Sequence, residues 1–201
     1  MKLGVLISGR GSNLQAIAAA IACGALPAEI ALVLSNRPQA PGLEWARQQG
    51  LAICALPSAG REREDYDREA VARLRGAGVE LVCLAGYMRL LSGYFVAAFP
   101  HRILNIHPSL LPAFPGLDAQ QQALDYGVKF SGCTVHFVDD TLDGGPILLQ
   151  AVVPVLDGDD AAALGARILE QEHRLYPAAI RLVARGAFRL QGRRVLGTNG
   201  G

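Results

Sequence analysis

Ile103-Leu104-Asn105-Ile106-His107-Pro108-Ser109-Leu110-Leu111-Pro112 is a short apolar run that closes on polar residues and then turns at proline. Its alternation predicts a strand over 103–106. Leu104 and Ile106 point to a core, while Asn105 and His107, two apart, share the other face. Two polar side chains on one face of a buried strand are costly unless paired or used. An amide donor beside a titratable imidazole suits chemistry that builds negative charge on an oxygen while a proton moves. For a lone histidine the plainer reading is a core side chain bonded to a backbone carbonyl. Asn105 beside it shifts the balance toward chemistry.

Outward from this strand the pattern is regular. Leu3–Ile7, Ile30–Leu34, Leu51–Leu56 and Val79–Leu84 read as buried strands. Between them lie a helix faced by Leu14, Ile17, Ala18 and Ile21 and ended by Gly24, a short helix over 43–49, and a polar-faced helix over 62–75. A short helical piece over 94–99 precedes the quoted strand. This order predicts an α/β fold, a doubly wound and mostly parallel sheet with helices on both faces. Downstream the rhythm changes. Cys133–Val138 and Ile147–Val155 read as strands with no obvious helix between them, which places antiparallel strands toward the C-terminal part. A long helix over 159–185, bent near Pro177, and an edge strand over 189–196 complete the expectation. No linker interrupts the chain. It is expected to form one domain over 1–201 with halves 1–100 and 101–188, and with a frayed tail over 197–201.

Composition excludes several classes. The 201 residues are 51% hydrophobic, enough for a well-filled core. With 19 basic and 18 acidic residues the formal charge is +1, which argues against a nucleic-acid partner. The run Leu3–Ile7 is too short for a signal peptide, and no apolar run approaches the ~20 residues of a membrane span. Cys23, Cys54, Cys83 and Cys133 form no C-x-x-C pair and read as reduced, mostly buried thiols of a cytoplasmic protein, without a metal site.

The first strand leads into Ser8-Gly9-Arg10-Gly11-Ser12-Asn13 and then a helix, a ready anion site. Leu14 breaks G-x-G-x-x-G, and no Gly-Lys-Ser/Thr follows, so a single phosphate is favoured over a dinucleotide or nucleoside triphosphate. The plainer reading is a tight turn in which Ser12 or Asn13 caps the helix. A histidine acting as acid or base needs an orienting carboxylate. Asp139, Asp140 and Asp143 lie together in a turn-rich segment, and spacing does not choose among them. His136, on the strand before, reads as a structural hydrogen-bonding side chain. Glu172 falls on the apolar stripe of the long helix, at its solvent edge or holding a cationic ligand group.

Residues 8–14 (SGRGSNL), 84–91 (LAGYMRLL), 105–112 (NIHPSLLP) and 142–146 (LDGGP) occur in this order, followed by Gln171-Glu172-His173 and Tyr176-Pro177. Together they resemble the glycinamide ribonucleotide formyltransferase family of the formyltransferase superfamily, across roughly residues 1–188. The resemblance implies transfer of a formyl group from 10-formyltetrahydrofolate, as co-substrate, to the primary amine of glycinamide ribonucleotide in purine biosynthesis. It implies that Gly11, Ser12 and Asn13 bind the ribonucleotide phosphate and that Glu172 binds near its amine and ribose. Asn105 donates to the formyl oxygen, His107 handles the proton, and Asp143 holds His107 in its protonated form. Arg63, Met88, Arg89, Leu90, Leu91 and Asn105 contact the folate, and the 134–143 region forms its pterin wall. These substrates are the expected partners, with no nucleic acid or membrane, and the protein is expected as a monomer or homodimer. After Phe114-Pro115-Gly116-Leu117 the family pattern has histidines near 118 and 120, where this chain has Asp118 and Gln120, which bears on pH dependence and acceptor affinity. Methionyl-tRNA formyltransferase, formyltetrahydrofolate deformylase and a non-catalytic nucleotide-binding module are the rival readings.

Overall fold

The structure is a computed structural model, and it describes residues 1–186 and 188–197. Its contacts divide the chain into two compact units, Met1–Asn105 and Ile106–Gly201. The expected halves divide five residues earlier.

The first unit is the alternating βα half. Its elements are β1 (Lys2–Ile7), α1 (Ser12–Ala22), β2 (Glu29–Ser35), α2 (Pro41–Gln48), β3 (Ile53–Ala55), α3 (Arg63–Gly76), β4 (Leu81–Leu84) and α4 (Gly93–Ala98), and it ends in β5 (Ile103–His107), the strand that carries the chain into the second unit. The strands lie in the order β3-β2-β1-β4-β5, all parallel. Central β1 is buried on both faces, which is why Leu3, Val5, Leu6 and Ile7 read as an unbroken apolar run rather than an alternating one. Gly4 lets α3 pack closely there, because a Cβ would sit 2.6 Å from Leu74 Cδ2 and the leucine would have to shift. Helix α3 is charged on three sides and buries Tyr66, Asp67, Ala70, Val71 and Leu74 on the fourth. Pairs Glu64–Arg68 and Glu69–Arg73 add i,i+4 support on its exposed side.

The second unit comprises α5 (Ala119–Tyr126), β6 (Phe130–Phe137), β7 (Ile147–Pro154), α6 (Ala161–Ala184), β8 (Phe188–Gln191) and β9 (Arg194–Gly197). β6 and β7 are antiparallel, β7 and β9 parallel, and β8 and β9 antiparallel. Gly132 permits the close approach of β6 to β7, since a Cβ there would meet Ala151 O at 1.9 Å. Helix α6 is capped by Asp160, whose carboxylate accepts from Ala163 N at 2.7 Å. Its buried residues Leu164 and Ile168 pack with Ala123, Cys133 and Val153 into one cluster.

Four expectations are corrected here. Helix α5 went unpredicted because its core contacts are Ala119 and Ala123, too small to mark a period. The signal lay in Gly127, which closes it at φ 77° with its N–H bonded back to Ala123 and Leu124. The long helix expected over 159–185 is α6, which contains Pro177 and whose buried stripe resumes beyond it at Ala179, Ile180 and Val183. The expected last strand is a hairpin turning at Gly192 (φ 58°). Gly197 belongs to β9, and the rest of the expected tail, 198–201, lies outside the described residues. The four cysteines are free thiols, but only Cys83 and Cys133 are buried. No helix among the described residues is long and apolar enough to cross a membrane.

Candidate active site

β5 ends at His107, and the chain then turns at Pro108. The His107 ring is 5% exposed, and both its nitrogens face oxygen atoms. Nε2 lies 2.8 Å from the Phe114 carbonyl, and Nδ1 lies 3.4 Å from Asp143 Oδ2. A ring held between two acceptors can donate to both as the imidazolium. Asp143 Oδ2 also accepts from Gly116 N at 2.8 Å. Phe114 and Gly116 therefore fasten one short loop to both members of the pair.

The β6–β7 connection brings Asp143 to this position. Thr141 N donates to Asp139 Oδ1 at 2.8 Å, and Gly144 N to Thr141 O at 3.1 Å, which folds the segment back on itself. Asp143 takes φ 49°, and Gly145 follows where a Cβ would lie 1.8 Å from Phe137 O. The Asp-Gly-Gly sequence is thus what lets the carboxylate return against the end of β6. Asp139 is engaged in its own turn and Asp140 is exposed, so Asp143 is the aspartate that meets His107.

His136 has the structural hydrogen bond expected of it, from Nδ1 to Phe137 O at 2.9 Å. It also presents Nε2 to Asp143 Oδ1 at 3.7 Å, a contact that sequence reasoning missed. Burial pushes the His136 imidazole below its usual range, against the opposing pull of the Phe137 carbonyl and the Asp143 and Asp139 charges, while His107 adds to the depression. A histidine depressed in the folded state binds fewer protons there than in the unfolded chain, so stability falls as pH drops below about 6.5. His136→Gln is expected to flatten this acid-side loss. Thermal midpoints between pH 7 and 5 would show it, at about 2–4 °C for each kcal/mol recovered in a chain of this size. A variant whose midpoint falls as steeply as the wild type would exclude this role.

Thr134 is buried and committed to the backbone. Its Oγ1 donates to Ser109 O at 2.7 Å and accepts from Leu111 N at 3.0 Å, fixing the segment after His107. Glu172 is 7% exposed, not at a solvent edge. It stands near Cys133, whose thiol is pushed up to about 12 by burial and by the Glu172 charge. A carboxylate this deep in a core helix suits a cationic group more than water.

In the first unit, α1 begins after Gly11, whose φ of 73° makes it the N-cap. No side chain caps this helix, so the simpler expectation of Ser12 or Asn13 as cap is replaced. Ser12 and Asn13 open the first turn, and Asn13 is buried, the arrangement in which backbone donors of a helix terminus meet an anion. Residues 86–92 are pinned at several points. Met88 N donates to Ser8 Oγ at 2.8 Å, Ser92 N donates to Asp67 Oδ2 at 2.6 Å, and the Tyr87 and Tyr66 hydroxyls meet at 3.0 Å. The Arg89 guanidinium lies 4.5 Å over the Tyr66 ring. This leaves Met88 and Leu90 60% and 54% exposed, a fixed apolar edge suited to a flat ring. Leu91 is half-buried, and Arg63 is exposed as the first residue of α3. Asn105, in register with Leu84 of β4, is half-buried two positions before His107. Among the sequence-predicted residues the structure therefore brings His107 directly against Asp143. Gly11, Ser12 and Asn13 share the start of α1, Met88 to Leu91 share one loop, Arg63 opens α3, Glu172 lies on α6, and Asn105 shares β5 with His107.

A βα half with an uncapped glycine turn, leading to an Asn-x-His strand end whose histidine meets an aspartate, defines a group transferase of the formyltransferase kind. The comparison with known families agrees: the profile described as formyl transferase matches residues 1–180, and the chain belongs to that family. It is 48% identical to the phosphoribosylglycinamide formyltransferase of Escherichia coli (strain K12), over 94% of this chain and 90% of that one. It is 49% identical to the trifunctional purine biosynthetic protein adenosine-3 of Drosophila pseudoobscura pseudoobscura, over 94% of this chain but only 14% of that protein. Among solved structures, glycinamide ribonucleotide transformylase 1 from Symbiobacterium toebii superposes with a TM-score of 0.97 at 55% identity, covering 99% of this chain and 94% of that one.

Proposed function

We propose that this protein transfers the formyl group of 10-formyltetrahydrofolate to the primary amine of glycinamide ribonucleotide, giving N-formylglycinamide ribonucleotide and tetrahydrofolate, in the cytoplasm and as a step of purine synthesis. The observation that carries this reading is the His107–Asp143 contact at 3.4 Å, at the end of the strand that bears Asn105. The amine attacks the formyl carbon, and the carbonyl oxygen becomes an oxyanion. Asn105 donates to that oxygen, and protonated His107, held by Asp143, stabilises the same charge and supplies the proton that the departing folate nitrogen takes up. The amine loses its own proton to restore the balance. Gly11, Ser12 and Asn13 anchor the phosphate through backbone donors, and Glu172 holds the amine end. Met88, Arg89, Leu90 and Leu91, with Arg63, receive the folate. Every residue in this scheme lies on one chain, which either a monomer or a homodimer satisfies.

The test mixes the protein with 10-formyltetrahydrofolate and glycinamide ribonucleotide and follows folate absorbance. Loss of formyl-folate that requires the ribonucleotide is the expected result. Loss without any acceptor would indicate a deformylase. Transfer only to methionyl-tRNA would indicate the tRNA enzyme, and binding without turnover a non-catalytic module.

A further inference from the structure

Asp67 stands on the buried side of α3 and is 1% exposed. An aspartate this deep is costly, and stability alone does not explain it, because an apolar residue of similar volume would avoid the desolvation. Its Oδ2 accepts from Ser92 N at 2.6 Å, and the Ser92 hydroxyl also bonds the carboxylate. Burial pushes the Asp67 carboxyl above its usual range, while the Ser92 bonds and the Arg89 and Arg63 charges pull it back. Oδ1 is buried without a hydrogen-bond partner.

Ser92 is the far end of the Gly86–Ser92 segment. The near end is tied as well, since Ser8 N donates to Gly86 O at 3.0 Å and Met88 N to Ser8 Oγ at 2.8 Å. Between the two ties stand Met88, Arg89, Leu90 and Leu91, which receive the folate in the scheme above. The residue before Asp67 serves the middle of the same segment. Tyr66 meets the Tyr87 hydroxyl at 3.0 Å, and its ring lies 4.5 Å under the Arg89 guanidinium. Arg89 Nε is buried without a hydrogen-bond partner, so the Tyr66 ring and the Asp67 charge steady this side chain. Ser92 Oγ in turn accepts from Phe95 N at 3.3 Å and caps α4, which ties the far end of the segment to the next helix.

We infer that Asp67 is a positioning residue for folate binding, holding the 86–92 segment through Ser92 and Arg89 while touching no substrate itself. The inference rests on the formyl-folate reading and deepens it. With one of its two ties lost, the segment samples other conformations, and part of the folate binding free energy goes into ordering it. Such a loss raises KM for the folate and leaves the chemical step, at the end of β5, nearly untouched.

The experiment measures kcat and both KM values for Asp67→Asn and Asp67→Ala beside the wild type, after thermal melts have shown which variants fold. Asp67→Asn is the deciding variant, because it keeps the volume and an oxygen for Ser92 N but removes the charge. Its KM for 10-formyltetrahydrofolate should rise about tenfold, with kcat and the ribonucleotide KM within about twofold of the wild type. A folded Asp67→Ala protein should show at least the same rise. The dissociation constant of the product tetrahydrofolate, measured by calorimetry without turnover, should rise in parallel. A folded Asp67→Asn protein whose folate KM stays within about threefold of the wild type would overturn the inference. So would an equal worsening of kcat and of both KM values, which would give Asp67 to the stability of the fold alone. In either case ribonucleotide-dependent transfer by the wild type leaves the formyltransferase reading standing. Its absence in the wild type removes that reading and the role of Asp67 together.

Discussion

Asn105→Ala is expected to lower kcat by about 10²–10³, with KM for both substrates changed far less. Removing one oxyanion donor costs about 2.7–4 kcal/mol of transition-state stabilisation, and a group that acts chiefly on the developing charge appears in kcat more than in substrate binding. The position tolerates truncation structurally. Asn105 is only half-buried, and the β5 backbone is held by its pairing to β4 through Ile103, Leu104 and Asn105 themselves. The variant should therefore fold, and circular dichroism with a thermal melt would establish that before kinetics. A folded Asn105→Ala protein with turnover within a few-fold of the wild type would remove the amide from the oxyanion role.

Much of this arrangement was legible before any coordinates, for identifiable reasons. β1 and β4 are central and buried on both faces, so their unbroken apolar runs stand out from the surrounding helices. Asn105 and His107 were marked by polarity in a core strand. Asp143 was different. Three aspartates within five positions are equivalent by spacing, and only resemblance selected one. The physical choice is made by backbone features that composition hints at but does not rank, namely the positive φ of Asp143 and the steric demand at Gly145. The contact between His136 and Asp143, and the Phe114 and Gly116 backbone bonds to the His107–Asp143 pair, depend on tertiary folding of separated segments and leave no local trace. Helix α5 was missed for the opposite reason, since its packing relies on alanines that carry no periodic signal. Asp118 and Gln120, where the family pattern has histidines, fall at its N-terminus. Asp118 is its N-cap at φ 55°, without a side-chain cap, and Gln120 packs 3.8 Å from where a Cβ on Gly165 would be. Neither position is among the His107–Asp143 contacts.

Asp143→Asn isolates the charge from the shape. The amide is isosteric, its oxygen can still accept from Gly116 N, and the Gly144-Gly145 turn is untouched. What is lost is the negative charge facing His107 Nδ1 at 3.4 Å and His136 Nε2 at 3.7 Å. With its oxygen kept on Gly116 N, and so facing His107 Nδ1, the amide nitrogen falls at the Oδ1 position beside His136 Nε2, and the neutral group no longer supplies the counter-charge that an imidazolium at His107 needs. Comparable exchanges of a histidine-orienting carboxylate in triad enzymes reduce kcat by about 10⁴ without disturbing geometry. For this protein a loss of about 10²–10⁴ is expected, with the KM values for the ribonucleotide and the folate nearly retained. The direct measurement is the single-turnover rate of ribonucleotide-dependent formyl transfer by purified, folded Asp143→Asn protein beside the wild type. A fall of at least about a hundredfold at saturating substrates is the result predicted. A rate close to that of the wild type would contradict the claim that Asp143 and His107 act together on the transferred carbon.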